Sequence, residues 1–247
     1  MKTLDQCIYR AARKEDIPAL APLIASCLKG PNGKSNLGVM FDLSEEEVVH
    51  MIEAILVQDI PNHEFHFGNY MVCEREGTVI SICSGWNENV DSLSSENIKS
   101  SLIASYLGFD KWKESLPMIR KFAELNIPRQ SGHLYLENAG TKKEYRQLNV
   151  AYTLVYELIK KRLSEHPSLK TIHSHVFLSN EIMYNMFLRF QYKVLQQNLL
   201  PSGSELNHTF PVKGVALVSI GIREYIDLYE KNMGIMKGDE QVSKAKR

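Results

Sequence analysis

Lys142, Lys143 and Arg146 place three cations immediately ahead of a segment with helical periodicity. A helix N-terminus presents unpaired backbone N–H groups and the positive pole of the helix dipole. Cations at that point make the site suited to a phosphate-rich ligand. The plain alternative is an ordinary basic turn. Histidines offer a second chemistry. His173 and His175 share one face of an alternating segment, and His63 and His66 are near neighbours. No cysteine or carboxylate completes either pair at a familiar metal-ligand spacing, so no metal is expected. Ser84-Gly85-Trp86 lacks the flanking pattern of a serine-hydrolase elbow.

The cations must be positioned by what surrounds them. In residues 133–137, Leu134 and Leu136 alternate with Tyr135 and Glu137, the pattern of a half-buried strand. A turn over Gly140-Thr141-Lys142-Lys143-Glu144-Tyr145-Arg146 follows. Then Leu148, Ala151, Val155, Leu158 and Ile159 recur at helical spacing, with Glu157, Lys160 and Lys161 opposite. Upstream, Ile8-Tyr9-Arg10-Ala11-Ala12 predicts a strand, and Asp16 is expected to cap a helix striped by Ile17, Leu20, Ile24 and Cys27. Ser44 and Glu47 form a capping box for the next helix. Two strands around Glu76-Gly77 make a hairpin. Residues 87–131 carry two further helices. After them come a strand at 171–177, a helix at about 180–190, strands at 192–200 and 212–220, and a helix at 222–233. Strands alternating with helices predict an α/β chain with a mixed sheet covered on both faces. One domain over residues 1–234 is expected, with the helical insertion at about 87–131 and a disordered polar tail at 235–247.

The 247 residues carry 29 Lys plus Arg against 29 Asp plus Glu, which removes any global bias towards nucleic acid or an anionic membrane. Cys7, Cys27, Cys73 and Cys83 have neither C-x-x-C spacing nor the density of a disulfide scaffold, so free thiols in a reducing compartment are expected. The N-terminus has no signal-peptide apolar run, and no apolar stretch approaches the roughly 20 residues that span a bilayer. A soluble cytoplasmic protein is expected.

The stretch Arg146-Gln147-Leu148-Asn149-Val150-Ala151 resembles the pyrophosphate loop of the GNAT N-acetyltransferase superfamily, R/Q-x-x-G-x-G/A. Arg146 and Ala151 are in register, and Asn149 stands where the first glycine usually lies. Asparagine is among the better tolerated residues with a Cβ at positive φ. The spacing Val176-x-x-x-Asn180, an apolar helix and Tyr192 resemble the next motif of that family. The resemblance implies a GNAT-like acyltransferase fold of six to seven strands with helices on both faces. It also implies acetyl-CoA as acyl donor, its pantetheine on the backbone of Ala139 and Thr141 and its pyrophosphate on the amides of residues 146–151. Asn180 would bond CoA or cap the following helix.

Acetyl transfer to an amine needs a base, donors for the oxyanion and an acid for the leaving thiolate. Glu137, on the face of Tyr135, is the candidate base, acting directly or through water. The tyrosine that the family often carries seven residues after the asparagine is Phe187 here, so Tyr184, one turn earlier, is the candidate acid. Gln191 stands where the family turns with glycine. The expected function is acetyl transfer from acetyl-CoA to a primary amine, of a small molecule or a peptide, by direct attack. The alternative is a degenerate GNAT-fold binding or sensor module that still holds CoA. The insertion is expected to serve as a substrate lid, or else as extra packing or a dimer contact, and a homodimer is possible. Neither nucleic acid nor a membrane is an expected partner.

Overall fold

The computed structural model describes residues 7–88, 94–146 and 148–234. Seven strands form one sheet in the order β1-β2-β3-β4-β5-β7-β6. The strands are β1 (Cys7–Ala11), β2 (Tyr70–Arg75), β3 (Thr78–Asn87), β4 (Leu134–Thr141), β5 (Thr171–Phe177), β6 (Lys193–Leu199) and β7 (Gly214–Gly221). Only β4 and β5 pair in parallel; the other neighbours are antiparallel. The hairpin between β2 and β3 turns on Glu76 and Gly77, both at positive φ (51° and 74°), which matches the twist of the strands it joins.

One face is covered by α1 (Ile17–Cys27), α2 (Asn36–Phe41) and α3 (Glu45–Val57). Leu20, Ile24, Ile52 and Leu56 pack there with Val72 and Ile82 of the sheet. The expected capping box of α3 is present, Ser44 Oγ accepting from the Glu47 amide and Glu47 from the Ser44 amide. At α1 the sequence reading needs correction. Asp16 closes a single 3-10 turn, Lys14–Asp16, and gives its carboxylate to the Arg13 amide and the Arg10 guanidinium instead of capping α1. The insertion folds as α4 (Ser95–Leu107) and α5 (Phe109–Ala123). Leu102 and Ile103 enter the core of α1 and α3, while Phe122, Leu125 and Ile127 pack with Trp86, Tyr135 and Leu217. The insertion packs on that sheet face and also delivers two cations, Lys99 and Arg129, to it.

The opposite face is covered by α6 (Val150–Glu165), α7 (Glu181–Arg189) and, beyond the short α8 (Leu206–Thr209), α9 (Ile222–Asn232). Leu154, Leu158 and Ile159 meet Leu136, Ile80 and Cys83. The buried stripe of α6 includes Val150, Leu154 and Tyr156, whereas the expected Ala151 and Val155 are half-buried. The helix passes close over the sheet at Gly85, where a Cβ would lie 2.5 Å from Leu158 Cδ2. β4 also runs longer than the sequence suggests. Gly140 and Thr141 are strand, and only Lys143–Tyr145 turns. Tail residues 235–247 lie outside the described residues.

Candidate active site

β4 and β5 pair only at Leu134 with Ile172 and at Tyr135 with His173, after which the strands part. The same stretch of β4 carries an extra residue against β3. Ser84 faces Glu137 and Ile82 faces Gly140, so one residue of β3, Cys83, stands against two of β4, Asn138 and Ala139, with Asn138 at φ 48°. A bulge of this kind bends its strand and shifts which backbone groups face each neighbour. Beyond it the Lys142 amide donates to the Ile80 carbonyl (2.9 Å). By alternation along an antiparallel ladder, the backbone groups of Ala139 and Thr141 then face the gap towards β5.

The gap leads to the N-terminus of α6. Asn149 is the residue before the helix and sits in the left-handed region (φ 57°, ψ 13°) without capping it by its side chain. Its carbonyl accepts the first helical hydrogen bond, from the Thr153 amide (3.1 Å). The amides of Val150, Ala151 and Tyr152 precede that bond and belong to the turn that a helix leaves unpaired. Leu148 is half-buried and Val150 buried, so the loop is anchored through apolar side chains and offers backbone. Gln147 lies outside the described residues. Arg146 reaches back, its Nε donating to the Thr141 carbonyl (3.2 Å). That carbonyl is therefore engaged, which narrows what Thr141 offers the gap to its N–H.

On the face of α1 to α5, Glu137 is held by two donors. Glu137 Oε1 accepts from Arg129 Nη2 (3.0 Å) and from His175 Nδ1 (3.1 Å). An ionised carboxylate has no proton to give, so Nδ1 carries the hydrogen. Arg129 Nη2 also donates to Glu64 Oε2 (3.1 Å), and Lys99 Nζ donates to Glu64 Oε1 (2.8 Å). The guanidinium lies over the rings of Trp86 (5.4 Å) and Tyr135 (5.8 Å), and His175 stacks on Tyr135 (5.7 Å). Two carboxylates and two cations thus balance, with only 8% of the Glu64 and 11% of the Arg129 side chain exposed. Burial acts to raise the pKa of Glu137, but the Arg129 charge, the His175 hydrogen bond and Lys99 outweigh it and hold the carboxyl well below its ordinary range. Glu137 therefore stays ionised and is a weak proton acceptor. Sequence reasoning missed Glu64, Lys99 and Arg129, which carry no spacing signal, and weighed His175 only as a metal ligand.

By sequence, no family model and no curated protein matches the chain. Solved structures do. An acetyltransferase aligns with 87% of this chain and 99% of its own (TM-score 0.55, 14% identity). An N-acetyltransferase from Staphylococcus aureus Mu50 aligns over 86% and 100% (0.56, 14%). An agmatine N-acetyltransferase mutant in its apo form aligns over 88% and 100% (0.50, 12%). The chain has the GNAT acetyltransferase fold.

Two residues that the sequence resemblance sets against glycine both take backbone that favours glycine. Asn149 (φ 57°) and Gln191 (φ 62°) are both left-handed. Asn180 acts as an N-cap, its Oδ1 accepting from the Met183 amide (3.3 Å). Phe187 of α7 packs edge-on against Tyr192 (4.8 Å) and lies half-buried against the core. Tyr184 Oη accepts from Gln197 Nε2 of β6 (2.9 Å), which leaves its own proton free to be given. Tyr184 packs on the α6 face and Glu137 on the other, so the sheet gap lies between them and no contact joins the two among the described residues. Among those residues there is also no group of three His, Cys, Asp or Glu side chains able to hold a metal, and no helix long and apolar enough to cross a membrane.

Proposed function

We propose that this protein is an N-acetyltransferase that moves acetyl from acetyl-CoA to a primary amine by direct attack within a ternary complex. The observation that carries the reading is one continuous feature. The parted strands β4 and β5 open onto the α6 N-terminus, where Asn149 adopts the backbone a glycine would take. The backbone of Ala139 and Thr141 would take the pantetheine amides. Arg146 and the amides of residues 148–151 would take the pyrophosphate, the helix dipole adding to the attraction. The acceptor amine would come from the side of Glu137, and Tyr184 would return a proton to the thiolate from the other side of the sheet.

Calorimetric titration with acetyl-CoA, and with CoA as companion, tests the proposal. Saturable binding of both is expected, and absence of binding overturns it. Phe187 favours a second reading, a module that binds CoA without turnover, because a phenyl ring has no proton for the leaving thiolate. Release of thiol that depends on added amine decides for the enzyme.

A further inference from the structure

His175 and Glu137 stand at equivalent register positions on β5 and β4. Tyr135 is paired with His173, and two residues further on the backbones have separated while the side chains still meet, His175 Nδ1 donating to Glu137 Oε1 (3.1 Å). That hydrogen bond fixes the tautomer. With its hydrogen on Nδ1, a neutral imidazole has its lone pair on Nε2. Nε2 of His175 is buried and has no hydrogen-bond partner among the described residues. Buried polar atoms are nearly always paired, and the exceptions concentrate where a group is kept for chemistry. The carboxylate beneath it is in turn pinned by Arg129, so the ring is oriented by a charge that cannot swing away.

We propose that His175 is the general base for the acceptor amine and that Glu137 is the residue that positions it, an inference that rests on the acetyl-transfer reading above. The first proton of the acceptor ammonium passes to Nε2, directly or through one water, giving an imidazolium stabilised by Glu137. The freed nitrogen lone pair forms the C–N bond to the acetyl carbonyl carbon, and the C–S bond breaks with its electron pair leaving on sulfur. The second N–H proton of the new amide nitrogen is lost as sulfur becomes a thiol, and the imidazolium returns its proton to solvent. The net change is one amide, one thiol and one released proton. Glu137, Arg129, Tyr135 and His173 are the titratable groups around the ring, with Lys99 one residue further out beside Glu64. Glu137 is the one whose charge favours the imidazolium.

Two crossed variants separate this assignment from Glu137 as the base. His175→Asn keeps a donor at the Nδ1 position but no titratable atom at Nε2. With acetyl-CoA and a panel of agmatine, spermidine, L-lysine and a tripeptide with a free N-terminus, it is expected to lower kcat at least about 100-fold. KM for acetyl-CoA should stay unchanged, and the acidic limb of the kcat/KM profile should vanish. Glu137→Gln should keep that limb but move it to lower pH, because removing a negative neighbour makes the imidazole easier to deprotonate. The reverse pattern, a limb lost in Glu137→Gln and kept in His175→Asn, overturns the assignment.

A spectroscopic reading needs no acceptor. Long-range 1H–15N NMR of histidine-labelled protein, with the His175 signals assigned by their loss in His175→Asn, is expected to show hydrogen on Nδ1 and a bare Nε2 in the neutral ring. Hydrogen on Nε2 of the neutral ring overturns the inference. Failure of acetyl-CoA to bind would instead remove the acetyl-transfer reading and leave the NMR result to judge the pair.

Discussion

The two sides of the β4/β5 gap are built in opposite ways. The side towards α6 is built from neighbouring stretches of sequence, the bulged end of β4 and the first turn of α6, and what it presents is backbone. The side towards α1–α5 is assembled from side chains of five separate segments, with Arg129 reaching Glu64 across 65 residues of sequence. A site made of main chain depends on conformation and is insensitive to most side-chain changes. A site made of buried charges depends on every partner, because each ion loses its solvation and is supported only by the others.

The contrast is broken most directly at Arg129. Arg129→Ala leaves Glu64 and Glu137 without their shared cation in a buried setting, and a loss of about 3–5 kcal/mol in unfolding free energy is expected. Chemical denaturation checks it; a loss under about 1 kcal/mol would mean that the cluster is hydrated and not mutually dependent. The counterpart on the α6 side is Arg146→Ala. Arg146 is exposed, so stability should hardly change, while CoA affinity falls by about 1.5–3 kcal/mol through loss of a charge-assisted contact. Unchanged affinity by calorimetry would show that the phosphates lie elsewhere.

Acid should also separate the two sides. His63 and His173 are pushed down to about 4, in both cases mainly by burial, against 6.5 in the unfolded chain. As pH falls the unfolded chain therefore binds protons first. Stability present above pH 6.5 is lost between 6.5 and 4, on the order of 1–3 kcal/mol for each histidine. Unfolding midpoints across that range check it, and His173→Asn should flatten the slope. The smallest effects are expected at Asn149. Asn149→Val forces a β-branched residue to φ 57° and should cost about 1–2 kcal/mol in stability with weaker CoA binding. Asn149→Gly should stay within about 0.5 kcal/mol of the wild type, since asparagine is already tolerated there. Equal behaviour of the two variants would mean that the loop is not held in this conformation.

The contrast between the sides also explains what the sequence alone could reveal. Alternation in Leu134 to Glu137, the Ser44/Glu47 box and the Glu76-Gly77 turn are local, and the structure reproduces them because neighbouring residues determine them. The helix that follows the basic turn is legible for the same reason. Asp16 was misjudged because a tertiary partner, Arg10, recruited its carboxylate. Glu64, Lys99 and Arg129 are three unremarkable charges in sequence, and only the meeting of α4 with the loops before β2 and after α5 makes them one cluster. A carboxylate at a strand end suggests a base, and only the fold shows that a buried guanidinium holds this one ionised.

Asn138 is one residue more than a regular β4 needs. If the strand were shortened by that residue, its ladder with β3 would run without interruption and its other edge could continue to zip onto β5 towards Phe177. The sheet would gain backbone pairs, and the crevice would be sewn shut. Pressure for a more durable fold and pressure for an open crevice thus act in opposite directions on a single position. A search for hardier variants of this protein, carried out without asking them to hold a ligand, should favour the deletion that empties it of function.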